Sequence, residues 1–119
     1  MRLDYTVTLE RWALREPFAI ARDVMTDVPL LHLTIADGEG REGHAEAAGV
    51  DYDGETPESI AREIASAMPQ VSVDSTGEAL ARLLGPGGAR NAVDCALWDL
   101  RAKQRGVRAW QLAGLPEPR

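Results

Sequence analysis

Asn91-Ala92-Val93-Asp94-Cys95-Ala96-Leu97-Trp98-Asp99-Leu100 is opened by Gly87-Gly88-Ala89-Arg90 and closed by Arg101-Ala102-Lys103-Gln104-Arg105-Gly106. Ala89, Val93, Ala96, Leu97 and Leu100 recur at spacings of three and four, the period of a helix with one apolar face, so the segment must bury that face against a larger body. Gly85-Pro86-Gly87-Gly88 breaks the chain before it, and Gly106 is the expected C-cap. Cys95 lies inside this pattern and reads as a small buried hydrophobe rather than a reactive thiol; as the single cysteine it forms no internal disulfide.

Working back from that helix, Leu3, Tyr5, Val7 and Leu9 alternate with polar residues, the period of a half-buried strand. The segment from roughly Arg15 to Val28 has no sustained period and reads as a long loop, the kind of connection that is often functional. Leu30 to Ala36 is strand-like, Asp37-Gly38-Glu39-Gly40 supplies a turn, and Arg41 to Ala47 forms a more polar return strand. A second irregular stretch, Ala48 to Glu55, leads to Thr56-Pro57, an N-cap followed by proline at the first helical position, and predicts a helix to about Met68. Ser75 with Glu78 predicts a capping box for a short helix through Leu84. The fold class is therefore α+β: a three-stranded antiparallel meander followed by a helical bundle.

The 119 residues are one domain's worth of chain, and 45% hydrophobic with 27% charged is the balance of a soluble globular protein. No run approaches the ~20 apolar residues of a membrane helix, and the N-terminus enters an alternating pattern without a signal-like apolar segment, so no membrane partner and a cytoplasmic location are expected. The net charge is −6, with 6 basic and 16 acidic residues through Leu80 and 7 basic and 3 acidic after it. The later basic residues belong to helices, with Arg101, Lys103 and Arg105 near a helix C-terminus where the dipole favours cations, so nucleic acid is not an expected partner.

Asp94 and Asp99 invite a metal reading, but five helical residues turn them ~140° apart and they cannot share one ion. Each has a basic residue one turn away, Arg90 and Lys103, so ion pairs are expected instead. His32 and His44 lie on different strands without further ligands in their pattern, whereas zinc requires three or four convergent donors, so they read as solvated or structural. Gly38, Gly40 and Gly43 sit in a hairpin turn with acidic neighbours, not before a helix as a phosphate loop would. No Gly-x-Ser-x-Gly elbow appears, and the one lysine, Lys103, is placed on the polar side of a helix. No catalytic residue and no metal ligand are assigned in this chain.

Two loops do offer binding residues. Arg22, set near Phe18 and Ile20, either grips a carboxylate through its planar fork or stands solvated in the loop. Tyr52 either closes over a ligand or covers the edge of the sheet.

The order of a meander, two long loops and a helix reading Ala-Arg-Asn-Ala-Val-Asp-Cys-Ala-Leu-Trp-Asp-Leu resembles the N-terminal capping domain of the enolase superfamily, in its mandelate racemase and muconate-lactonizing branch. Pro17-Phe18-Ala19-Ile20-Ala21-Arg22 and Tyr52-Asp53-Gly54-Glu55-Thr56 make it most similar to dipeptide epimerases of the L-Ala-D/L-Glu type. The third strand departs from the usual pattern, reading Gly43-His44-Ala45-Glu46-Ala47 where relatives commonly place glycine before the glutamate. The resemblance implies a partner (β/α) barrel, absent here, that carries two catalytic lysines and three carboxylates for Mg²⁺; this chain itself would bind no cofactor. In the complete enzyme Mg²⁺ would stabilise an enolate while the lysines remove and return an α-proton.

The implied share of residues 1–115 is closure and selection. Arg22, Phe18 and Tyr52 would bind substrate, Arg22 taking a carboxylate of a small anionic substrate such as a dipeptide. Residues 116–119 would begin the linker to the missing barrel. The enzyme would be an isomerase, acting by 1,1-proton transfer, and inactive without the barrel. A muconate cycloisomerase, mandelate racemase or o-succinylbenzoate synthase cap, or a free-standing interaction domain, are the competing readings. Without its barrel the domain is expected to expose an apolar patch including Phe18 and one of Trp98 or Trp110, and to self-associate as a homo-oligomer.

Overall fold

The computed structural model describes residues 2–119. Three strands, β1 (Asp4–Ile20), β2 (Asp23–Ala36) and β3 (Glu42–Ala47), form one antiparallel sheet in the order of the chain. Four helices follow: α1 (Pro57–Ala67), α2 (Gly77–Leu83), α3 (Gly88–Arg105) and the single turn α4 (Ala109–Leu112). The α+β meander-and-helices architecture read from the sequence is the one observed.

Alternation decides which face of the sheet is buried. Val7 stands opposite Leu33 and Leu9 opposite Leu31, and Leu31, Leu33 and Ile35 are wholly buried. They meet Ile60 and Ile64 of α1, Leu80 of α2, and Val93, Leu97 and Leu100 of α3 in one hydrophobic core. Burying each of these side chains contributes about 1.5–3 kcal/mol, which makes this layer the main source of stability. Gly43 of β3 lies so close to α3 that a Cβ there would stand 2.0 Å from the Ala96 carbonyl oxygen. Only glycine permits that approach, and it is why α3 lies tightly along β3.

Polar contacts then fix α3 in place. Asp99 accepts the His44 backbone N–H at 2.9 Å and pairs with Lys103 at 2.8 Å, while Lys103 also donates to the Glu42 carbonyl at 2.7 Å. Burial raises the Asp99 pKa, but Lys103 and the His44 amide outweigh it and the carboxyl ends below its ordinary value. Arg101 donates to the carbonyls of Val73 and Ser75, tying down the chain between α1 and α2. Gly106 closes the helix in the left-handed region, with φ 66°, as its position predicts.

Four local expectations change. The segment from Arg15 to Val28 is not a loop: β1 and β2 continue as a two-stranded arm and reverse at Ala21-Arg22. Between Ala13 and Phe18 the register shifts, so four residues of β1 stand against one of β2, a bulge that disrupts the alternation. The short helix α2 is capped by Thr76, whose hydroxyl accepts from Ala79, not by Ser75; Ser75 is buried and accepts from the Ser72 amide instead. Cys95 is exposed, because it lies ~200° around the helix from Val93, away from the apolar face. Asp99 and Lys103 form the anticipated pair, but Arg90 and Asp94 share a groove without an ion pair among the described residues.

The arm changes the overall shape. The radius of gyration is 15.7 Å and the molecule measures 44 × 38 × 25 Å, against about 13.5 Å for a compact domain of this length.

Candidate substrate-facing surface

The arm is built from the ends of β1 and β2. Phe18 stands opposite Met25 and Ile20 opposite Asp23. Trp12, Phe18, Ile20 and Val24 are all more than half exposed; the register puts Phe18 and Ile20 on one face of the arm and Trp12 and Val24 on the other, so both faces carry open apolar side chains. Arg11 braces the arm by offering one guanidinium nitrogen to both oxygens of Asp27, at 3.0 and 3.2 Å.

Arg22 sits at the tip, in the reversing turn, exposed, and makes no hydrogen bond or ion pair among the described residues. Of its two sequence readings the structure gives the solvated position in this isolated domain. Among the described residues its guanidinium is held by no carboxylate. Phe18 is 58% and Tyr52 78% exposed, so Tyr52 does not cover the sheet edge. It belongs to a short 3-10 turn, Asp51–Asp53.

The structure brings the flanks of these residues together. A groove of about 520 Å³ runs between Ile20, Asp23 and Val24 on the arm and Ala48, Gly49, Asp51 and Glu55 on the second loop. Arg22, Phe18 and Tyr52 do not line it, but Arg22 lies between lining residues Ile20 and Asp23, and Tyr52 next to Asp51. The expected exposed patch is therefore present at Phe18, whereas Trp98 and Trp110 are half-buried and add little to it.

Glu55, part of the Gly54-Glu55-Thr56 motif, positions the second loop. Its carboxylate accepts the Gly88 N–H at 2.9 Å, at the first turn of α3, where the helix dipole favours a negative charge. The neighbouring Gly54 N–H closes the 3-10 turn on Asp51 at 2.9 Å, and Thr56 caps α1 in a reciprocal capping box with Ser59. Gly54-Glu55-Thr56 thus sets the loop on two helix N-termini. A glutamate at the third position of a helix is a usual capping signal, but one 33 residues upstream of the amide it accepts leaves no local trace.

Asp37, the first residue of the Asp37-Gly38-Glu39-Gly40 turn, accepts the Glu39 and Arg41 amides. Its side chain is fully buried in the β2–β3 turn. The Glu39 amide is the largest influence lowering its pKa; burial opposes it, Gln104 and Arg41 reinforce it, and the value falls to about 2. Through Gln104, at 3.2 Å, the turn is anchored to α3. Asp37 lies away from the groove and its role is structural.

Residues 2–114 match the family described as mandelate racemase / muconate lactonizing enzyme, N-terminal domain. The chain belongs to this family. Among the proteins similar to this family domain, the L-Ala-D/L-Glu epimerase of Escherichia coli (strain K12) is 36% identical over 109 residues, covering 92% of the chain and 34% of the relative. An L-Ala-D/L-Glu epimerase structure superposes with a TM-score of 0.83 at 32% identity, over 98% of the chain and 35% of its own. An enolase family member from Agrobacterium tumefaciens with homology to dipeptide epimerases, holding sodium and L-Ala-L-Glu, gives 0.85 at 37% identity, over 96% and 35%. The family domain therefore spans about a third of the length of these relatives. The enolase-superfamily fold and the dipeptide-epimerase resemblance read from the sequence both hold.

Among the described residues no group of three or more His, Cys, Asp or Glu side chains has the arrangement to hold a metal ion. No helix of the described residues is long and apolar enough to cross a membrane.

Proposed function

We propose that residues 1–115 are the substrate-capping domain of a cytoplasmic, Mg²⁺-dependent dipeptide epimerase, with residues 116–119 beginning the linker to a (β/α) barrel that holds the metal and the reacting centre. The reaction is 1,1-proton transfer at the α-carbon of an L-Ala-L-Glu-like dipeptide. The observation that carries this reading is the two-stranded arm, which presents an unpaired Arg22 at its tip above an apolar surface. Similarity to epimerases and to a relative holding L-Ala-L-Glu supports the substrate class.

The chain's own residues bind and exclude water. Arg22 engages the side-chain carboxylate of the substrate, where a desolvated, charge-assisted pair is stronger than a neutral hydrogen bond. Phe18 lowers the local dielectric around that pair by covering it, and Tyr52 closes the opposite side from the second loop. Glu55 keeps the second loop in place through the first turn of α3 and takes no proton.

The test is proton NMR of L-Ala-L-Glu in D₂O with the intact protein and Mg²⁺. The α-proton of the glutamate residue should exchange for deuterium as the L,D epimer accumulates. An intact, folded protein that leaves that proton in place on acidic dipeptides would refute the reading.

A further inference from the structure

The outer face of the sheet holds a second arrangement, independent of the groove. His32 stands opposite Glu46, and Thr34 opposite His44, so the two histidines are diagonal neighbours on adjacent strands. Such neighbours are close enough for long side chains to touch. His32 Nε2 lies 3.1 Å from His44 Nδ1, with the ring centroids 5.2 Å apart and the planes 26° from parallel. The nitrogens are within hydrogen-bond distance, so the near-parallel imidazoles meet nitrogen to nitrogen, one donating its N–H and the other accepting it. Both rings are about one-third to two-fifths exposed.

A carboxylate stands near each outward nitrogen without a hydrogen bond to it. His32 Nδ1 faces Glu10 Oε2 at 3.8 Å, and His44 Nε2 faces Glu42 Oε2 at 3.5 Å. One inner nitrogen carries the hydrogen of the His32–His44 contact and the other accepts it, while the two carboxylates place negative charge around the pair, which favours a bound cation. The Thr34 hydroxyl lies 3.2 Å from His44 Nδ1 and adds an oxygen on the same side.

We propose that His32 Nε2 and His44 Nδ1 form a two-imidazole chelate for a divalent transition metal of the Cu²⁺ or Ni²⁺ class, with water completing the coordination. The metal takes the place of the proton between the two nitrogens: the N–H bond on the inner edge breaks, two metal–nitrogen bonds form, and that proton moves through solvent to the outer nitrogen of its own ring. Imidazole donors select these metals over Mg²⁺ and Ca²⁺, which prefer oxygen, and copper binds most tightly. Two protein donors make the site exchangeable, unlike a closed structural centre with four.

The experiment is Cu²⁺ titration of the intact protein in excess Mg²⁺, followed by electron paramagnetic resonance, with His32→Gln and His44→Gln as variants. Both positions are on the open face of the sheet, and circular dichroism checks that each variant is folded. The wild type should bind one more Cu²⁺ per chain than either variant, with a spectrum of two equivalent nitrogens, and each single substitution should weaken that site at least tenfold. Equal copper binding by wild type and both variants would overturn the proposal, as would a loss in only one of them.

Discussion

The packed body and the projecting arm are made from the same two strands, yet they obey different rules. In the body, Leu31, Leu33 and Ile35 are wholly buried beneath α1 and α3, and every second residue is committed to the core. Beyond Pro29 on β2 and Arg11 on β1 no helix covers the sheet, and Trp12, Phe18, Ile20 and Val24 lie open. Stability therefore resides in the body, and the side chains of the arm can vary with little cost to the core.

The largest effect that tests this division comes from the core. Leu97→Ala removes a fully buried side chain and should cost about 2–5 kcal/mol in urea unfolding, whereas Phe18→Ala on the arm should stay within about 0.5 kcal/mol. Comparable losses at both positions would erase the distinction.

A smaller effect lies where the body meets the second loop. Glu55→Ala deletes the acceptor of the Gly88 N–H and should destabilise by about 0.5–2 kcal/mol, the range for a lost N-cap. Glu55→Gln keeps an acceptor, loses the charge and should fall between the two. Thermal unfolding of the three proteins gives the order directly.

The third test uses pH. Asp37 has a folded-state pKa of about 2 against about 3.9 unfolded. Its carboxylate stabilises the fold above pH ~4, and that contribution disappears as the pH falls towards 2, because the unfolded state takes up the proton first. Asp37→Asn should lower stability at neutral pH and flatten the decline between pH 4 and 2. An unchanged slope in denaturant titrations at those pH values would remove Asp37 from the account.

The same contrast explains what the sequence revealed. α3 was legible from Ala89 to Gly106 because one face is buried for its whole length and burial enforces the period. The arm was not, because its residues have no covered side to enforce alternation and the bulge between Ala13 and Phe18 breaks what remains. Cys95 sits within an apolar run, which suggests burial, although its angle on the helix turns it outward. Ser75 and Thr76 are adjacent hydroxyls, and only the backbone geometry shows which one caps α2. Arg22, Phe18 and Tyr52 stood out individually, but the groove between the arm and the second loop joins segments some 30 residues apart. The Glu55 contact with Gly88 and the His32–His44 pair likewise exist only after the chain has folded.

The most direct measurement of the central claim is steady-state kinetics of Arg22→Ala in the intact protein, with L-Ala-L-Glu and an uncharged dipeptide as alternative substrates. The account predicts a KM for L-Ala-L-Glu raised at least tenfold, about 1.4 kcal/mol of binding, an unaltered KM for the uncharged dipeptide, and an unchanged melting temperature. An equal change for both substrates, or none for either, would contradict the assignment of recognition to the arm.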